Sequence, residues 1–361
     1  MKTGSSLQKL AAELERQQES KRDFIAPTTE LEVVAQWNID GEDRGPCLRV
    51  NGHGLFPIND VAHQQIASRV GIPQKYYDRM KLEAPGLMVD NVNHWFGAKK
   101  EKQMVRTLDG TARAFLSDRY RPLDNLDMAT AVLPILGKMG VKVESSELTQ
   151  KRLYIKAVTP KVTAEIKNGD VVQAGIIISN SEVGLGSVKV EPLVFRLVCL
   201  NGLIVNDHAM RKYHVGRSGA EGDMAAEFFR DETRQADDKA FWMKVRDVVA
   251  GAFNQDVFGR IVERMKEATE RIIDVDVVKV VEVVRRDHAL NDDERSGVLQ
   301  HLIKGGDLTQ YGLLNAVTRT SQDVPDYDRA TELERTGGDI LAMSGGEWEA
   351  FLNIAERTKR D

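Results

Sequence analysis

The chain has 361 residues, 42% of them hydrophobic and 29% charged, with a formal net charge of −5 at pH 7. That length supports two or three domains and a sizeable core, and the balance of apolar and charged residues excludes a disordered chain. No apolar run approaches the roughly 18 residues of a membrane-crossing helix, the polar start does not read as a secretory signal, and Cys47 and Cys199 have no metal-ligand or C-x-x-C spacing, which points to reduced thiols in the cytoplasm.

In chain order, residues 5–21 read as a helix capped by Ser5 or Ser6, with Leu7, Leu10, Ala11 and Leu14 on one face. Phe24 to Val34 is extended, and Leu48 to Val50 is a short strand before the turn chemistry of Asn51-Gly52. Asp60 reads as an N-cap, Gly71 as a stop, and Pro73 as the start of a second short helix. A third helix follows over residues 86–95. Gln103 to Leu108 and Thr111 to Ser117 flank Asp109-Gly110, a type I′ hairpin signal. A helix then runs to Met139. Residues 141–146 and 152–159 form a second strand pair, and residues 171–179 and 187–200 a third, ending in an Asn201-Gly202 turn. From Asp223 the spacing is helical, with a break near residues 254–256 and further helices over 275–284, 293–304, 311–319 and 347–357. The expected fold is α+β: a mostly antiparallel sheet built from hairpins with a packed helix, a helical N-terminal layer and a helical C-terminal region. The expected divisions are residues 1–96, joined to the core domain, then 97–217 and 218–361.

Charge follows the same divisions. Residues 97–217 hold 19 Lys/Arg against 12 Asp/Glu, and residues 218–361 hold 20 against 30. A basic middle suits an anionic partner. Within it, Arg119, Tyr120 and Arg121 sit where a strand meets a helix N-terminus, a mixture that suits phosphates and stacked bases of single-stranded nucleic acid. Arg113 precedes them. Lys151, Arg152 and Lys156 continue the basic set, as do Arg196, Arg211 and Lys212. Arg196 interrupts the apolar run LVFRLV, so it must be paired or line a cleft. The loop Ser179 to Ser187 has the composition of an anion cradle, with Ser179, Asn180, Ser181 and Gly184 as its candidate contacts. Glu182 opposes an anion there and suits a metal or a nearby arginine instead. No P-loop, G-x-S-x-G or H-E-x-x-H motif is present, so no catalytic residue, metal ligand or cofactor is assigned.

The run IASRVGIPQKYYDRM, the segment RAFLSDRYRPLDN, the block ISNSEVGLGSVKVEPLVFRLVCLNG and the late segment LTQYGLLNAVTRTSQDV together resemble a phage- and plasmid-borne family catalogued as a domain of unknown function. The resemblance spans about residues 24–340. It implies a mobile-element protein in bacterial cytoplasm and brings no established activity. The hairpin–helix–hairpin order is similar, in topology alone, to strand-annealing recombinases. The leading expectation is non-specific binding of single-stranded DNA in recombination, annealing or replication, as a ring or filament of copies. This requires the basic residues to converge on one face. Two alternatives stay open: a hydrolase or nucleotide-processing enzyme centred on Ser179 to Glu182, and a non-catalytic assembly or host-interaction protein.

Overall fold

Ser6 accepts a hydrogen bond from the backbone N–H of Lys9, and helix α1 (Leu7–Ser20) starts there, burying Leu10 and Leu14 one turn apart. The computed structural model describes residues 1–35, 38–39, 42–43, 45–205 and 231–358. Strands β1 (Arg22–Pro27) and β2 (Leu31–Val34) follow, then the short pair β3 (Asn38–Ile39) and β4 (Glu42–Asp43), then β5 (Cys47–Val50) and β6 (Gly54–Pro57). Strands β2, β5 and β6 form one antiparallel sheet. Helix α2 (Asp60–Val70) is capped by the side chain of Asn59, one residue before the expected cap, and ends at Gly71 with a left-handed φ of 78°. Helices α3 (Gln74–Glu83) and α4 (Pro85–Ala98) complete the layer. Ile66, Tyr77, Met88, Val92 and Phe96 bury one shared core with Leu48, Val105 and Phe115.

Strands β7 (Lys102–Leu108) and β8 (Thr111–Ser117) form the expected hairpin, with Asp109 at φ 50° and Gly110 at φ 71°. Two successive left-handed residues are the type I′ signature. The hairpin pairs with β1 in a sheet of order β1-β7-β8. It therefore belongs with the N-terminal layer rather than with the later strands, because Val105 and Phe115 find their apolar partners among α2 to α4.

Helix α5 (Asn125–Met139) leads into a five-stranded antiparallel sheet of β9 (Lys142–Leu148), β10 (Leu153–Glu165), β11 (Val171–Asn180), β12 (Lys189–Arg196) and β13 (Asn201–Ile204), in the order β13-β12-β11-β10-β9. Pairing of Ile155 with Ile178 and of Ala157 with Ile176 sets one apolar face, which packs on Met128, Val132 and Leu136 of α5 and on Leu10 and Leu14 of α1. Lys156, Ile177 and Glu191 lie in register on the other face. Asn201 and Gly202 lie in β13 rather than in a turn; the chain reverses before them, at Leu200 with φ 54°.

The remaining helices among the described residues are α6 (Asp231–Gly251), α7 (Gln255–Glu270), α8 (Val277–His288), α9 (Asp292–Gly305), α10 (Gln310–Thr320), α11 (Tyr327–Ala342) and α12 (Gly345–Arg357). Phe241, Val245 and Val249 of α6 join the α5 face of the sheet. Helices α7 to α12 build a separate core with Val172, Val194 and Leu203. Helix α11 was not expected from periodicity. It carries Gly337-Gly338, which lowers helix propensity, yet a Cβ at Gly338 would collide with the carbonyl of Ile204. The glycines let α11 lie directly on the sheet edge. No helix among the described residues is long and apolar enough to cross a membrane.

Candidate functional site

The loop after β11 is held from three sides. Glu182 Oε1 accepts from the backbone N–H of Asn125 at 2.5 Å, and Glu182 Oε2 accepts from Arg113 at 2.7 Å. A carboxylate at the N-terminus of α5 is favoured by the helix dipole, and the adjacent guanidinium compensates its burial. The Asn180 amide donates to Leu123 O at 2.7 Å and to Asn125 Oδ1 at 2.9 Å. Ser181 Oγ donates to Lys151 O at 2.8 Å, Tyr120 donates to Ser181 O at 3.3 Å, and Arg152 donates to Leu185 O. Gly184 has φ 75°, and a Cβ there would strike Leu116.

Beneath this loop lies Arg106, whose side chain is 1% exposed. It donates to Asp23 at 2.8 Å, to the Glu182 carbonyl at 2.7 Å and to Asp124 at 3.1 Å. Burial alone would lower its pKa; Asp23, Asp124 and Glu182 more than offset that and raise it. Burial likewise works to raise the pKa of Asp124, but Lys21 at 2.5 Å and Arg106 bring it below the usual carboxylate value. Sequence reading passed over Arg106. Its strand, KQMVRTL, mixes polar and apolar residues, so no local pattern sets Arg106 apart.

A cavity of about 310 Å³ opens between β8, the β9–β10 turn and the Glu182 loop, and Arg113, Asn125, Lys151, Arg152 and Glu182 are among its lining residues. Tyr120 packs in the same small cluster as Val183 and Leu185. Arg119, which is exposed, and Arg121, which is half-buried, flank it in sequence. Lys151 is exposed and Arg152 half-buried. The ion pairs of the described residues include none to Arg119, Lys151 or Arg152, whereas Arg121 lies 3.6 Å from Asp237.

Several candidates are corrected by their surroundings. Arg113 is buried and serves Glu182. Ser179, Asn180 and Ser181 are buried, and the Asn180 and Ser181 side chains brace the loop instead of opening as an anion cradle, whereas Gly184 is exposed. Glu182 meets the arginine expected for it, Arg113. Lys156 pairs with Glu334 at 2.6 Å, both side chains 0% exposed, with its ammonium 4.6 Å from the centre of the Tyr327 ring. Burial lowers its pKa, opposed by Glu334. This pair fastens α11 to the sheet face opposite α5. Arg196 is paired: it donates two 2.7 Å bonds to Asp170, which also accepts from Tyr311 at 2.8 Å. Lys156 and Arg196 are thus withdrawn into separate ion pairs. Arg211 and Lys212 lie outside the described residues.

No curated protein and no solved structure matches the chain. A family model described as "Domain of unknown function (DUF932)" matches residues 113–336. The match starts at Arg113, within β8, takes in the central sheet and the Glu182 loop, and ends at Thr336, within α11; β1 to β7 and α1 to α4 precede it. With most of its length covered, the chain belongs to the DUF932 family.

Proposed function

We propose that this protein binds single-stranded nucleic acid with little sequence preference, through the basic rim of the Ser181–Leu185 loop. The observation that carries this reading is the meeting of two sequence-distant basic segments at one loop. Tyr120, between Arg119 and Arg121, bonds Ser181 O, and the carbonyl of Lys151, next to Arg152, accepts from Ser181 Oγ. Lys151, Arg152 and Arg119 have no carboxylate partner among the described residues. Cations without carboxylate partners attract phosphates and release counterions, which gives affinity without base readout. The Tyr120 ring is half-buried, so charge contributes more than stacking.

The setting we infer is a phage or plasmid protein that acts on DNA during recombination, annealing or replication in bacterial cytoplasm, with several copies assembling along a strand. The alternative, a hydrolase or nucleotide-processing enzyme centred on Ser179 to Glu182, predicts a bound metal or nucleotide beside Glu182, which metal analysis and a nucleotide thermal-shift screen would detect. Fluorescence anisotropy with a labelled oligothymidylate tests the proposal. Binding at low salt that weakens steeply as salt rises is expected; no binding at low salt overturns it.

A further inference from the structure

We propose that the cleft beside Glu182 seats a terminal phosphate, a phosphomonoester at the end of a nucleic-acid strand, while the rim carries internal phosphodiesters. The inference rests on the nucleic-acid reading for the source of the phosphate.

The volume comes first. About 310 Å³ lies at the low end of the roughly 300–1,000 Å³ of small-molecule sites, enough for one nucleotide-sized group. The charge of the walls comes second. Two carboxylates line the cleft, and both are already neutralised: Glu182 by Arg113 and the Asn125 N–H, and Asp109 by Arg16 at 2.7 Å. Lys151 and Arg152 face no carboxylate among the described residues, so they set the sign of the cleft.

The donor set comes third. Lys151 is exposed at the mouth of the cleft, and its ammonium has no carboxylate partner among the described residues. Arg152 spends one nitrogen on Leu185 O and keeps further donors. A phosphomonoester carries a charge of about −1.5 to −2 at neutral pH and three acceptor oxygens. An internal phosphodiester carries one charge and two non-bridging oxygens, so it meets these donors less fully than a monoester does.

The test compares three oligothymidylates of equal length, with a 5′-phosphate, a 3′-phosphate, or hydroxyls at both ends, titrated against the full chain by anisotropy at fixed ionic strength. At least one phosphorylated strand should bind about tenfold more tightly than the hydroxyl strand. That gain should shrink as pH falls through about 6, where the monoester loses its second charge. Lys151→Ala, at an exposed position, should abolish the gain, and Arg152→Gln should reduce it. Arg119→Ala should weaken all three strands alike and leave the gain intact. Equal binding of all three strands overturns the inference and leaves the strand-binding reading standing. A gain that survives Lys151→Ala overturns the assignment to this cleft. Free thymidine 5′-monophosphate binding as tightly as the phosphorylated strand overturns the strand-end source. Failure of every strand to bind at low salt removes the nucleic-acid reading and the inference with it.

Discussion

Arg113 and Glu182, 69 residues apart in sequence, meet in a buried ion pair at 2.7 Å. The contact joins the N-terminal hairpin to the loop after β11, and through the Asn125 N–H it also holds the start of α5. One side chain thus ties together three elements around the cleft.

Glu182→Gln should therefore be costly. It leaves the Arg113 guanidinium buried without its anion, and breaking one side of a buried pair costs about 3–5 kcal/mol. Urea denaturation followed by circular dichroism measures it. A loss below about 1 kcal/mol would show that the pair is not what holds these elements together.

His63 offers a pH signature. Its Nδ1 lies 2.8 Å from the Tyr77 hydroxyl, and burial, with Lys81 nearby, brings its pKa from 6.5 down to about 4. As pH falls through 6.5, the unfolded chain takes up a proton that the folded chain refuses. Stability from this group is present above pH 6.5 and is lost as pH falls towards 4. The loss is roughly 2–3 kcal/mol. His63→Gln should flatten the dependence over that window in denaturation experiments; an unchanged slope would assign it to other groups.

Two glycine substitutions should act in opposite directions. A Cβ at Gly338 meets the Ile204 carbonyl, so Gly338→Ala should destabilise by about 1–3 kcal/mol through overpacking. Around Gly259, in α7, a Cβ meets nothing within 4 Å, so Gly259→Ala should gain about 0.5–1 kcal/mol. Melting temperatures check both. A neutral Gly338→Ala would mean that α11 does not sit against β13.

The parts of the fold legible in the sequence are those with local causes. Asp109-Gly110 needs two left-handed residues wherever the hairpin goes, and the apolar stripe of α5 needs only its own turns. The sheet to which that hairpin belongs depends on what Val105 and Phe115 pack against, which no local pattern states. Helix α11 was hidden because Gly337-Gly338 weakens the helical signal for the sake of a contact with a distant strand. The basic residues show the same limit. Lys156, Arg113 and Lys151 look alike in sequence. Glu334 and Glu182, 178 and 69 residues away, withdraw the first two from solvent. Arg196 did announce that it needed a partner, and Asp170, 26 residues upstream, supplies it.

Salt dependence of single-strand binding separates true phosphate contacts from cations that serve the fold. Each contact contributes about 0.7 to the slope of log binding constant against log salt concentration for a single strand. The measurement is that slope for the native chain and for Arg119→Ala, Arg121→Ala and Lys151→Ala. A steep native slope that falls by about 0.7 in each variant is the expected result; a slope near zero, or one that none of the three substitutions changes, would contradict strand binding at the Ser181–Leu185 rim.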